Sequence, residues 1–388
     1  MISSASAVII GGGVLGASAA FHLVAAGWKD LLLLDRYPAP GLGSTGRATG
    51  GFRAQFSTPV NIGLSLLSRQ KLLRFQEETG VDPGYLPAGY LVLAESAAQA
   101  DSLRGALETQ HACGLLEARL VDAREALEIQ PCLAPGEILG GAWCPTDGFI
   151  RPLKILEGYL AAASRHGLRI EWDVEVEDLE IGPGGRICRV RTSRGSVACE
   201  VVVNAAGAWA APLAELAGIA LPVKPVKRQV AATAVTRVLP EGMPMTIFAG
   251  NGFHVRVRDG RVLLLRPDPP ATPDPYDTLV EPVWIDSLMK EARDRIPALR
   301  DVPVDVSASW AGLYEISPDR HALVGALPEC DNFFCLTGAS GHGVMHAPAL
   351  GQILAEIVST GRSLSIDATP LRPARFREGC LNEAGEIL

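Results

Sequence analysis

Short apolar runs alternate with small-residue punctuation from the start of the chain. "VIIGGGVLGASAAFHLVAAGWKDLLLLDR" places an apolar run at Val8–Ile10, a glycine cluster, a helical stretch over 17–26 ended by Gly27, and a second apolar run at Leu31–Leu34 closed by Asp35. Continuous rather than alternating apolar residues predict parallel strands buried on both faces. Helical periodicity follows at 61–79, 97–114, 153–166 and 284–295. Strand patterns fall at 89–96, 168–181, 186–207, 224–236, 252–258 and 260–266, with a Gly-Pro-Gly-Gly turn at 182–185. "SASWAGLYEISPDRHALVG" reads as strand, loop, strand. "NFFCLTGASGHGVMHAPALGQILAEIV" reads as strand, glycine turn and long helix, a second unit of the kind that opens the chain. The segments "GLGSTGRATGGFRAQF" and "GGAWCPTDGFIRP" read as loops, "RPDPPATPDPYDT" as a connector, and the polar tail after Ser363 as extended chain.

Strand–turn–helix units at both ends, with a strand-rich stretch between, predict an α/β (α+β) chain. A discontinuous nucleotide domain covers 1–82, 141–222 and 309–365. An inserted antiparallel-sheet substrate domain covers 83–140 and 223–308, a tail runs over 366–388, and the ligand cleft lies at the junction.

The first unit carries chemistry. Gly11, Gly13 and Gly16 stand in G-x-G-x-x-G spacing, and Asp35 follows nineteen residues after Gly16. The first glycine permits a tight turn, the second lets backbone approach a pyrophosphate, and the third lets helix touch strand. The helix start offers free N–H groups, and the acid accepts from ribose hydroxyls. The pattern therefore predicts a dinucleotide.

Composition narrows the rest. The 388 residues can bury two cores, and a net charge of −8 with no basic run excludes a general nucleic-acid binder. No stretch qualifies as a membrane span, and a secretory leader is not read in a start that lacks basic residues and is broken by glycines. Eight scattered cysteines without a C-x-x-C pair fit reduced thiols in a cytoplasmic protein, with no metal expected.

A nicotinamide enzyme usually completes its nucleotide fold early, and this chain does not. "GSTGRATGG" after the ribose acid, "VVVNAAGAW", and the late "TGASGHGVMHAP" helix start instead suit a flavin, whose reduced form is stabilised by a helix N-terminus. With "WAGLYEISPD", these segments resemble the family of FAD-dependent amino-acid and amine oxidoreductases that includes D-amino-acid oxidase, glycine oxidase and sarcosine oxidase. The likeness runs from Val8 to about Gly361 and is strongest to the flavin subunits of heteromeric sarcosine oxidase and L-proline dehydrogenase.

The resemblance implies a FAD-binding Rossmann-like domain and a substrate domain whose sheet covers the flavin. It implies cofactor contacts at Gly11, Gly13, Val14, Leu15 and Gly16, at Asp35 and Arg36, and at Ser44, Thr45, Arg47, Gly50 and Gly51. Further contacts fall on Val176, on Ala206, Gly207 and Trp209, on Gly312, and on Gly341, His342, Gly343, Val344 and Met345. Relatives attach flavin through a cysteine that falls on Gly312 or a histidine that falls near Arg47, so non-covalent FAD is expected.

The implied activity is oxidation of a carbon–nitrogen bond to an imine, on a secondary or N-alkylated α-amino acid of the sarcosine, dimethylglycine or proline type. Arg53 falls on a carboxylate-holding arginine, and Tyr314 on an active-site tyrosine. Met345 replaces a second, lysine anchor. His342 and His254 are catalytic candidates. Arg256 is a weaker one, on the reading that only one of the pair on "GFHVRV" faces the flavin. Two alternatives stand beside this: a 2-hydroxy acid or D-amino acid as substrate, with a neutral histidine as base, or a flavin subunit active only with a partner chain. The electron acceptor is a quinone, a dye, a partner flavoprotein or O2. The oxidases' flavin-facing lysine has no counterpart in "PDPPATPDPY", and Lys224, Lys227 and Arg266 are the cations left nearby, so a dehydrogenase is expected.

Overall fold

The computed structural model describes residues 3–269 and 274–383; residues 270–273 of the proline-rich connector lie outside them. Two eight-stranded sheets and one two-stranded sheet carry the fold among the described residues. In the first sheet Ser4–Ile10 lies between Leu31–Asp35 and Gly195–Asn204, parallel to both. Arg169–Trp172 extends one side and Cys330–Thr337 the other, again in parallel. Leu323–Leu327 closes an edge antiparallel, and Ile187–Thr192 with Val176–Ile181 forms an antiparallel flap. The central strands carry continuous apolar runs, Ala7–Ile10, Leu31–Leu34 and Val201–Val203, because both faces are covered there.

Helix Val14–Ala25 packs on one face beside helix Gly343–Thr360. Small residues set their distance. A Cβ on Gly351 would lie 2.2 Å from the Ser18 hydroxyl, which donates to the Ala347 carbonyl at 2.7 Å. The two strand–turn–helix units found at opposite ends of the sequence are therefore neighbours in one layer.

The second sheet runs Trp310–Ile316, Lys224–Ala232, Arg261–Leu265, His254–Arg258, Met245–Phe248, Tyr90–Ala94, Gly140–Cys144, Arg119–Asp122. Its pairs are antiparallel except Met245–Phe248 with Tyr90–Ala94. Strand alternation sorts its side chains. Leu91, Leu93, Val255, Val257, Val262 and Leu264 bury under helix Pro282–Arg295, while Tyr90, Met245, Ile247, His254 and Leu265 face the opposite way. Trp310–Ile316 and Gly140–Cys144 pair in this sheet, so its membership runs across positions 309 and 141.

Three readings of the sequence change. "GGAWCPTDGFIRP" is not a loop: Gly140–Cys144 and Gly148–Phe149 are strands, the glycines serving close sheet contact, since a Cβ on Gly141 would lie 2.4 Å from the Val92 carbonyl oxygen. "GLGSTGRATGGFRAQF" holds a short helix, Ser44–Arg47, and the strand Gly51–Phe52. The tail is folded back rather than extended. Leu371 is buried, and the Arg375 guanidinium donates to both oxygens of Asp319 at 2.8 Å. No helix among the described residues is long and apolar enough to cross a membrane.

Candidate functional site

A cavity of about 540 Å3 opens between the carboxyl ends of the first sheet and the uncovered face of the second. Every candidate residue read from the sequence lines it except Gly16 and the weaker candidate Arg256. Gly16 stands behind the turn, where a Cβ would lie 1.9 Å from the Gly11 carbonyl oxygen, so its part is helix–strand contact. Gly11 has φ +113°, and a Cβ there would meet the Ala205 carbonyl oxygen at 2.3 Å. Only glycine fits both demands.

At one end, helix Val14–Ala25 starts on Gly13 without a side-chain cap, and the Val14 N–H donates to the Thr45 hydroxyl at 3.0 Å. Asp35 accepts from the Gly12 and Tyr37 N–H groups at 2.6 and 2.8 Å, which sets its carboxylate at the turn. Arg36 lies 4.0 Å over the Trp209 ring, and Val176 and Ala206 complete this wall. Helix Gly343–Thr360 also points an uncapped start, through Gly341 and His342, at the cavity. Two helix N-termini, a glycine cradle and an acid at a strand end make the chemistry of a pyrophosphate-linked dinucleotide site.

At the other end, Arg53 is 4% exposed. It donates to the Gln55 carbonyl at 3.2 Å and reaches His342 Nε2 at 3.3 Å, with Phe56 4.2 Å under its guanidinium. None of these contacts is a carboxylate. Asp147 is nearby, but it accepts from the Ala54 N–H and the Gln55 amide, and burial pushes it up to about 6. A guanidinium can only donate, so His342 Nε2 accepts and its proton sits on Nδ1. Burial first, and then the Arg53 charge, hold His342 well below its ordinary value, so it is neutral. Ser65 donates to the Arg53 carbonyl at 2.8 Å and lies 2.9 Å from His346 Nε2, whose N–H it therefore accepts. This chain fixes the Arg53 backbone.

His254 Nδ1 lies 2.8 Å from the Gly252 carbonyl, which can only accept. Its Nε2 is consequently bare, and burial lowers the ring to about 4. His254 and Arg256, two positions apart, share one strand face, which corrects the alternation reading. Arg256 is kept from the cavity lining by donating to the Thr49 and Gly50 carbonyls at 2.7 and 3.1 Å over the Phe149 ring.

Tyr314 stands against Gly341, where a Cβ would lie 2.3 Å from its ring. Gly312 faces Arg47 at 3.1 Å by the same measure, and no cysteine among the described residues lines the cavity. Of the cations left near the connector, Lys224 is exposed and does not line the cavity, and the other two are held by acids. Lys227 is held by Asp277 at 2.7 Å and Glu281 at 2.6 Å, and Arg266 by Asp268 and Glu291. Sequence reasoning missed Tyr90, Arg228, Glu315 and Arg320, which all line the cavity. For Glu315, a charge inside an otherwise apolar strand was the available signal; Arg228 stands beside Lys227 and Gln229 in a mixed strand that gives none.

Comparison with known proteins agrees with this geometry. The family profile described as "FAD dependent oxidoreductase" (DAO) matches residues 6–357. The chain is 28% identical to FAD-dependent oxidoreductase domain-containing protein 1 of Xenopus laevis, over 96% of this chain and 82% of that protein. It is 28% identical to glycine oxidase of Geobacillus kaustophilus, over 95% and 96%. Among solved structures, L-proline dehydrogenase from P. horikoshii superposes with a TM-score of 0.89 at 27% identity, covering 98% of this chain and all of that one.

Proposed function

The chain belongs to the DAO family of FAD-dependent oxidoreductases, and on that premise we propose that it oxidises the carbon–nitrogen bond of a secondary or N-alkylated α-amino acid to an imine. The observation that carries this reading is the buried Arg53 guanidinium, which lines the cavity without a carboxylate partner. An uncompensated buried charge is costly, and an anionic ligand relieves it. FAD, when bound, supplies the two-electron acceptor. Arg53 holds the substrate carboxylate, with His342 keeping the guanidinium in place. Tyr314 walls the substrate, and the bare Nε2 of His254 accepts the proton that leaves the amine. The first sheet serves as the FAD-binding domain, and the second as the substrate domain.

His254 also supports a second reading, since the same nitrogen could take a hydroxyl proton from a 2-hydroxy acid. Anaerobic titration with a panel of amino and hydroxy acids separates the two. Bleaching of the flavin absorbance by N-alkyl amino acids is expected; bleaching by hydroxy acids alone overturns the first reading.

The FAD is expected to be released on acid precipitation, because Gly312 and Arg47 offer no attachment nucleophile and no cysteine among the described residues lines the cavity. A yellow pellet after washing contradicts this.

FAD affinity is expected to fall as pH rises through about 7. Glu315 is 7% exposed, lines the cavity near the start of helix Gly343–Thr360, and is pushed up to about 7 by burial. Cofactor phosphates brought into the same cavity disfavour its ionised form further, so binding takes up a proton and weakens at higher pH. Fluorescence titration of FAD at pH 6 and 8 measures this. Equal affinities, or a dependence that persists in Glu315→Gln, count against it.

The enzyme is proposed to be a dehydrogenase. No lysine among the described residues lines the cavity, the charges of Lys227 and Arg266 are neutralised by acids, and Arg53 and Arg228 are assigned to substrate carboxylates. A fixed cation at the flavin would stabilise superoxide as O2 takes its first electron. Reoxidation of the anaerobically reduced protein in air-saturated buffer is expected to be slower than turnover with a dye or quinone. Reoxidation as fast as turnover, with stoichiometric peroxide, identifies an oxidase.

A further inference from the structure

Arg228 lines the cavity beside Tyr314, as Arg53 does, and makes no ion pair among the described residues. It lies on Lys224–Ala232, opposite Gly312 of Trp310–Ile316, where Val226 faces Tyr314. Its Cζ is 5.7 Å from the centre of the Tyr314 ring. The hydrogen bond it makes is to a backbone carbonyl, that of Lys227 at 3.0 Å. Its neighbours are treated differently by the fold. Lys227 has two carboxylate partners, and Arg266 has two. Asp268, the acid whose charge acts on Arg228, has both oxygens engaged by Arg266. Arg320 adds further positive charge to the same wall. Burial works against the Arg228 charge, as it does for Arg53, and the fields of both arginines reach the Tyr314 hydroxyl. Two guanidiniums of the cavity wall thus act on one tyrosine, Arg228 from 5.7 Å.

We propose that Arg228 forms a second acid-binding subsite beside Tyr314, so that the substrate is an N-substituted amino acid bearing two carboxylates. This rests on the reading of Arg53 as the holder of the first carboxylate. A guanidinium is suited to a planar carboxylate, and two such anchors select diacids because a monoacid leaves one cation without a partner. The second carboxylate sits either on the nitrogen substituent, as in iminodiacetate, or on the side chain, as in N-methylglutamate.

Two sets of probes test the subsite and the reaction separately. Diglycolate and methoxyacetate are inert ether counterparts of a diacid and a monoacid, and their binding is read from perturbation of the oxidised flavin spectrum of the holoenzyme. Diglycolate is expected to bind at least about 30-fold more tightly, and Arg228→Gln to abolish that ratio. Arg228→Lys should restore part of it. In turnover with a dye, iminodiacetate or N-methylglutamate should exceed sarcosine in kcat/KM by a similar factor, and the better of the two tells which position carries the second acid. The FAD Kd of Arg228→Gln should stay within about threefold of wild type. Equal binding of the two ethers, a diacid preference that survives Arg228→Gln, or a loss of FAD affinity matching the loss of ligand affinity overturns the subsite. Diacid-selective ether binding without reduction by any amine would retain the subsite and discard the proposed reaction.

Discussion

Arg53→Gln is expected to weaken the best substrate by on the order of 2–5 kcal/mol, seen as a rise in KM or in the Kd of a carboxylate inhibitor, while FAD stays bound. Arg53 lines the end of the cavity opposite the glycine cradle, against Phe56 and His342. The substitution removes one desolvated charge-assisted contact with a ligand carboxylate. It should not destabilise the ligand-free protein. The wild-type guanidinium is 4% exposed and makes no ion pair among the described residues, and Asp147, whose charge acts on it without a direct contact, keeps its hydrogen bonds from the Ala54 N–H and the Gln55 amide in the variant. Glutamine keeps a donor for the Gln55 carbonyl. Steady-state kinetics, flavin content and thermal unfolding of the apoprotein check the three parts. An unchanged KM removes Arg53 from substrate binding, and loss of FAD moves it to the cofactor.

Arg375→Ala is expected to do the reverse: destabilise the fold by about 3–5 kcal/mol, with little direct effect on ligand recognition. The side chains of Arg375 and Asp319 are 0% and 1% exposed. Two hydrogen bonds at 2.8 Å join them, and the guanidinium also donates to the Leu371 and His321 carbonyls at 3.0 Å. Removing the arginine leaves Asp319 buried without its counter-charge and frees the tail. Burial raises the Asp319 carboxyl, but the bonds and charge of Arg375 outweigh it and hold the group well below the usual carboxylate range. A depressed carboxylate contributes stability that is present above the unfolded value, about 4, and is lost as pH falls through the folded one. The gap between wild type and variant should therefore be full at pH 7 and shrink below about pH 4. Denaturant unfolding at pH 7 and pH 3 measures it; a gap that does not change with pH would assign the loss to packing instead of charge.

These two arginines show where reading the sequence stops. Arg53 stands among apolar neighbours in "GGFRAQF" and Arg375 in the charged stretch "RPARFREG", and neither setting says what the arginine pairs with. Arg53 was legible through the resemblance. Arg375 was not, and the tail that carries it was read as extended because its polar residues give no periodic signal. The loop reading of "GGAWCPTDGFIRP" failed for a related reason: its glycines are there for close sheet contact, which a single sequence cannot distinguish from turn glycines. Glu315 went unremarked inside a strand otherwise read for its apolar pattern, and Arg228 inside a mixed strand that gives no signal.

What the sequence determined by itself was the nucleotide-binding unit. Its glycines, apolar strands, helix and closing acid are contiguous over residues 8–35, and their roles follow from backbone sterics and hydrogen bonding within that span. The tertiary structure alone decided which charges are answered. Arg375 meets Asp319 across 56 positions and Lys227 meets Asp277 across 50, whereas Arg53 meets a neutral histidine across 289. Whether a buried cation is neutralised by the fold or left for a ligand depends on which distant side chains packing brings within a few ångströms of it, because ion pairing is short-ranged and desolvation removes the water that would otherwise serve every charge alike.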